Sequence, residues 1–292
     1  MIATTDAPPL CNTGASDLTW DWYQATIKGS SDALTSANGV RSVLATVVGP
    51  GGQWAPTKAL FGYPFGQELQ GVPVGTVKVF YGAGDVHVQA TSAAAEPVAD
   101  LLRKWWPEHT VSRADVAFDT ISAGSFDRLY QRVHHLARTN PRGKVSTSTA
   151  GDWIDRETGR TFYAGGTSSR LRVRVYEKGH EQRAKDPNCG ADLDWTRVEW
   201  QLRPTSDQKA WLARASKVEA LGLSAFGAAV ADEVLGADVL AVGNLLRFAS
   251  QDPAYWMVRQ YRRVVLELLA LDPQDAHDRL VQLVEQAEPI SG

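Results

Sequence analysis

Three stretches of this chain alternate, residue by residue, between apolar and charged side chains. In RADVAFDT (113–120), Arg113, Asp115, Ala117 and Asp119 fall on one side and Ala114, Val116 and Phe118 on the other. In LRVRVYEKGHE (171–181), Arg172, Arg174, Tyr176 and Lys178 oppose Leu171, Val173 and Val175. In RVEWQLR (197–203), Arg197, Glu199, Gln201 and Arg203 oppose Val198, Trp200 and Leu202. A period of two is the signature of strands, whose successive side chains leave opposite faces. The pattern reads as strands with one packed and one polar face. An ordinary solvated face alternates in the same way. It does not usually place Asp twice in a strand interior, a position that disfavours it. Carboxylates that hold a divalent cation would offset that cost.

The rest of the chain divides around these strands. From residue 17 to about 204, strand-like runs alternate with amphipathic helical runs; from 206 onward almost everything reads as helix. TWDWYQATI (19–27) opens the series, and SDALTSANGVRSVLATVV (31–48) follows as a helix with Ser31 or Asp32 as its cap. The Gly/Pro-rich segment 49–75 reads as an irregular connection, and TVKVFYGAGDVHVQATS (76–92) as a hairpin around Gly82–Asp85. EPVADLLRKWW (96–106) and SFDRLYQRVHHLARTN (125–140) have helical spacing. KVSTST, TFYAGG (161–166) and the polar turn between them lead into the tyrosine strand. Helices are expected near 206–220, 224–250, 254–271 and 273–288. The fold class read from this order is α+β followed by an all-helical region. The expected divisions are a tail (1–16), an α+β domain (17–204) and a helical domain (205–292).

At 292 residues and 43% hydrophobic, the chain can bury a sizeable core. Two distant cysteines, Cys11 and Cys189, argue against a disulfide scaffold or a zinc finger. Neither a signal peptide nor a membrane span is indicated, so a cytoplasmic location with no membrane partner is expected. A net charge of −3 gives no global footprint for nucleic acid, yet residues 170–185 hold six Lys or Arg against Glu177 and Glu181. Any polyanion site must be local. A carboxylate-held Mg²⁺ or Mn²⁺ would polarise a phosphodiester oxygen, the cations would neutralise the remaining charge, and a tyrosine would attack phosphorus. Arg172, Arg174 and Lys178 are expected to lower the pKa of Tyr176.

The blocks SRADVAFD (112–119), FYAGGTSSRLRVRVYEKGHE (162–181) and TRVEWQLR (196–203) resemble, in order and spacing, those of the replication initiation factor family. That family comprises rolling-circle initiators of plasmids and filamentous phages and related relaxases. The likeness covers roughly residues 17–204 and implies a central, mostly antiparallel sheet flanked by helices, with the alternation of strand and helix segments in agreement, and a metal-dependent enzyme that nicks and rejoins DNA. Tyr176 falls on the nucleophilic tyrosine, which keeps the 5′ phosphate and leaves a 3′ hydroxyl for a polymerase. Asp115 and Glu199 fall on acidic positions suited to the metal, and Asp119 on a second acid of the first block. Gln201 departs from the family, which has an acid there; an amide can still ligate through oxygen. Ala114 replaces a larger apolar residue. The resemblance and the charge pattern together point to Tyr176, Arg174 and Lys178 as the catalytic group, and to Asp115, Asp119 and Glu199, with Gln201 beside them, around Mg²⁺ or Mn²⁺. The cationic positions Arg113, Arg172 and Arg197 are expected on DNA, and the family brings a host helicase and polymerase as partners and suggests a homodimer. A non-catalytic DNA-binding regulator on the same scaffold is the competing reading, with Gln201 as its sign of lost metal binding.

Other residues carry weaker signals. Tyr163 is a second nucleophile or, more ordinarily, a packing ring with its hydroxyl at the rim. His134 and His135 are adjacent on a helix and point too far apart to share a metal. His87 lacks the second histidine of a His-hydrophobe-His pair, and His180 is a candidate proton shuttle or metal neighbour. Trp105 and Trp106 could stack on single-stranded bases, with core packing expected for at least one. VRQYRRVV (258–265) is a DNA-contacting patch or an exposed helix face.

Overall fold

The structure is a computed structural model that describes residues 18–29, 32–236, 239, 274–275 and 277–278. Ten strands form one sheet: β1 (Thr19–Ile27), β2 (Trp54–Pro56), β3 (Phe65–Leu69), β4 (Val77–Ala83), β5 (Asp85–Thr91), β6 (Thr110–Ile121), β7 (Thr147–Gly151), β8 (Arg160–Ala164), β9 (Leu171–Glu177) and β10 (Trp195–Leu202). Their order is β2-β3-β4-β5-β1-β6-β10-β9-β8-β7, and every adjacent pair is antiparallel. The helices of this part are α1 (Ala37–Val48), α2 (Ala95–Trp105), α3 (Ser125–Thr139), α4 (Lys178–Lys185), α5 (Ser206–Arg214), α6 (Lys217–Leu221) and α7 (Ala225–Leu235). The chain falls into two compact units, 1–244 and 245–292; of the second, the described residues are helical and Gln274 donates to Asp278.

The apolar face forms the core. Tyr23, Ala25, Val116, Val173, Val175, Val198, Trp200 and Leu202 are all buried. Helix α2 lays Val98 and Leu102 into this layer, and its Arg103 guanidinium sits over the rings of Trp20 and Tyr23. Helix α3 contributes Phe126, Leu129 and Val133, and Tyr130 meets Phe162 of β8 edge-on. At α7, the Gly227 carbonyl accepts from the Trp200 indole.

Local signals explain most boundaries. Helix α1 starts later than expected because Ser36, not Ser31 or Asp32, caps it by accepting from the Gly39 amide. The helix expected over 206–220 is two helices, since Thr205 with Gln208 and Ser216 with Glu219 form successive capping boxes. Segment 49–75 is not wholly irregular: β2 and β3 lie within it, too short and too sparsely apolar to show a period. Stretch 171–181 is not one strand. The chain turns into α4 at Lys178, which therefore leaves the strand face. The helices expected at 254–271 and the basic patch 258–265 lie outside the described residues.

Candidate nucleic-acid interface and catalytic face

The pairing register builds the polar face in three rows. Asp115, Gln201 and Arg172 stand opposite one another across β6, β10 and β9. Ala117, Glu199 and Arg174 form the next row, which continues to Tyr163 on β8. Asp119, Arg197 and Tyr176 form the third, continuing to Thr161. Most of the singled-out residues therefore share one surface, in an order that sets their partners.

The acids are held by arginines. Arg113 grips Asp115 with two bonds, Nε to Oδ1 at 3.0 Å and Nη2 to Oδ2 at 2.5 Å. Glu199, 2% exposed, accepts from Arg174 Nη2 at 2.6 Å and from Gln201 Nε2 at 2.8 Å. Burial first, and then the Glu199 charge, pushes the Asp115 carboxyl above the usual carboxylate range, while the Arg113 guanidinium pulls the other way. Among the described residues no three His, Cys, Asp or Glu side chains cluster as a metal site. Asp119 is four residues from Asp115 along β6, about 14 Å at strand rise. It accepts instead from Arg197 Nε and Nη2 at 2.7 and 2.6 Å and from the Trp195 indole at 2.9 Å. The acids that the structure brings together are Asp115 and Glu199, with Gln201 beside both.

Tyr176 is 3% exposed, and its hydroxyl has no hydrogen-bond partner among the described residues. The Arg174 guanidinium lies 4.0 Å from the centre of its ring and the Lys178 ammonium 5.5 Å. The expected drop in its pKa does not occur. Burial holds the phenol well above its ordinary value, against the pull of Arg197 and Arg174, and Glu199 and Glu181 push the same way as burial. Lys178 is lowered by burial and by Arg197, although Glu181 accepts from its Nζ at 2.6 Å. Burial raises Glu181, but Lys178 and Lys185 outweigh it and bring it down to about 2.

Arg197, expected on DNA, is committed to carboxylates: besides Asp119 it donates Nη1 to Asp21 at 2.7 Å. Asp21 was not legible as a partner. It sits at a register shift in β1, where Trp20 pairs with Val116 but Trp22 with Asp115. This bulge sends Trp20 into the core and Trp22 to the polar face, where Arg113 stacks on it at 4.0 Å. Strict alternation would have put both tryptophans on one side.

On the far flank, Arg172 stacks on the Tyr163 ring at 3.7 Å. His180 packs near Gly159, where a Cβ would come within 2.9 Å of it. His134 lies between Tyr130 and Phe162 on the apolar side, and His87 is buried among Phe61, Tyr63 and Phe80. Trp106 is buried and Trp105 exposed.

The strand portions of the three blocks that carry the resemblance lie on β6, β8, β9 and β10, and the second block runs on into α4. Residues 109–229 match the replication initiation factor family. The resemblance is borne out over that stretch, which includes every residue of the three rows; β1 to β5 precede it. A solved structure of a rolling circle replication initiator protein from Geobacillus stearothermophilus is 24% identical, with a TM-score of 0.49, and the match covers 79% of this chain and 84% of that one. No curated protein matches. Among the described residues no helix is long and apolar enough to cross a membrane.

Proposed function

We propose that the chain is a rolling-circle replication initiator that nicks and rejoins one DNA strand through Tyr176. The observation that carries this reading is the Tyr176 hydroxyl: buried, without a partner among the described residues, and in the field of Arg174, Lys178 and Arg197. A buried hydroxyl without a partner costs about 1–3 kcal/mol, which an incoming phosphate oxygen would offset.

The phenol oxygen bonds to phosphorus as the bond to the 3′ oxygen breaks. The phenol proton passes, directly or through water, to the departing 3′ oxygen, which becomes the hydroxyl that a polymerase extends, and the 5′ phosphate stays on the tyrosine. Rejoining is the reverse. At rest burial keeps the phenol protonated, and Arg174, stacked on its ring, would hold the scissile phosphate against it. Lys178, whose ammonium is tied to Glu181, adds positive charge 5.5 Å from the ring centre. Arg197 contributes field rather than contact, since Asp119 and Asp21 occupy it.

The donor set fits a hard divalent cation: two buried carboxylates, Asp115 and Glu199, and the Gln201 amide oxygen, to which no described residue donates. Mg²⁺ or Mn²⁺ held there would neutralise charge developing on the phosphodiester. Asp119 is proposed instead as the anchor of Arg197. The reading carries with it a host helicase and polymerase and a homodimer as working partners. A relaxase shares the chemistry and differs in the origin it cuts.

One observation favours a DNA-binding protein without cleavage: both central carboxylates already face guanidinium groups, Asp115 with Arg113 and Glu199 with Arg174. The two readings separate on supercoiled DNA carrying the cognate origin, with Mg²⁺ or Mn²⁺. Wild type should give relaxed circles and a covalent 5′-phosphotyrosine peptide visible by mass spectrometry, and Tyr176→Phe neither. No relaxed product from wild type would leave the binding reading; equal nicking by both would remove Tyr176 from its role.

A further inference from the structure

One end of the polar face is crowded with positive charge that the nicking chemistry does not use. Arg203 continues the Arg197, Glu199, Gln201 side of the chain just past β10, and its amide donates to the Arg170 carbonyl at 2.7 Å. The register that pairs Leu202 with Ala114 and Gln201 with Arg172 brings Arg203 beside Arg113 on β6 and diagonal to Arg172 on β9, next to Asp115. Like charges gathered beside a single carboxylate, itself gripped by Arg113, call for an anion. Two donors in this cluster, Nη1 of Arg203 and Nε of Arg172, are buried with no partner among the described residues.

Aromatic rings frame the cluster. Trp22 on β1 carries the Arg113 guanidinium on one face, and Tyr163 on β8 carries that of Arg172, each ring half-buried. β1 and β8 are four strand spacings apart, about 19 Å, so the rings bracket the arginines. Guanidinium planes and aromatic rings presented side by side suit unstacked bases, which duplex DNA does not offer.

We propose that Arg203, with Arg113 and Arg172, forms a second anion subsite that takes a backbone phosphate of single-stranded DNA, while Trp22 and Tyr163 stack its bases. The subsite rests on the nicking reading for its substrate and tells which part of the strand it holds. Arg172 is four residues from Tyr176 along β9, about 14 Å, or at most about four nucleotide steps at 3.4 Å per nucleotide. The subsite thus grips the strand a few nucleotides from the scissile phosphate, on the side of the face away from Asp119.

The test is fluorescence anisotropy of a labelled oligo-dT with the full chain over a salt series, beside thermal melts of each variant. Arg203→Gln should bind at least tenfold more weakly, and its slope of log K against log salt should flatten by about 0.7, the value for one lost phosphate contact on a single strand. Arg172→Gln should show the same flattening if Arg203→Gln does not fold. Trp22→Leu and Tyr163→Leu should weaken binding at least fivefold with the slope unchanged. Wild-type affinity and slope in Arg203→Gln and Arg172→Gln, or no oligo-dT binding by wild type, would overturn the subsite. Binding that depends on these residues in a protein that never nicks would overturn the nicking reading and leave the subsite standing.

Discussion

At the scale of single residues, burial decides more than neighbouring charge does. Tyr176 lies among three cations and still has a raised pKa, because removing the phenolate from water costs more than those cations return. His87 obeys the same rule with the opposite sign. Buried beside Phe61, Tyr63 and Phe80, with Nδ1 bonded to Thr26 and Nε2 unpartnered, it is held down from 6.5 to about 4, by burial first and Lys209 second. A histidine depressed on folding takes up its proton more readily in the unfolded chain. Its contribution is complete above pH 6.5 and is lost as pH falls toward 4, a loss on the order of 3 kcal/mol. Urea midpoints measured from pH 7 to pH 4 should fall for wild type and fall less for His87→Leu. His109 is depressed too, so some slope should remain.

At the scale of elements, alternation in 113–120, 171–177 and 197–203 was enough to read the shared face, because a strand's period is independent of its neighbours. The opposition of Asp115 to Gln201 and of Arg197 to both Asp119 and Tyr176 was not readable, since register belongs to pairs of strands. Nor was the end of β9: Lys178 continues the alternation, and only the packing of α4 against the approach to β10 takes it out of the strand. Gly179 makes that packing possible. A Cβ there would lie 1.8 Å from the Asp192 carbonyl oxygen. Gly179→Ala must shift backbone and should cost about 1–3 kcal/mol, read as a lowered urea midpoint. Gly190→Ala, where nothing lies within 4 Å, changes φ strain alone and serves as the comparison.

At the scale of the molecule, the family-matched segment is not self-sufficient. It begins at residue 109 and keeps β6 to β10 but not β1, which is hydrogen-bonded along β6. A fragment of residues 109–229 would expose the β6 edge, lose the α2 cover and strip Asp21 from Arg197. It should aggregate or stay unfolded by circular dichroism, whereas a fragment of residues 18–236 should fold. This also explains why the family-like blocks were legible while half of the surroundings of the site was not: the blocks carry the chemistry, and β1 supplies Asp21 and Trp22 from outside them.

The bulge at Asp21 has a meaning for how such a sheet can change. Trp20 and Tyr23 face inward and Trp22 and Gln24 outward, so the parity on either side of Asp21 is what an uninterrupted strand would have without that residue. Asp21 is a supernumerary position, free of both faces' packing rules. A sheet can gain or shed an acid beside Arg197 there by a one-codon insertion or deletion, with every flanking side chain keeping its place.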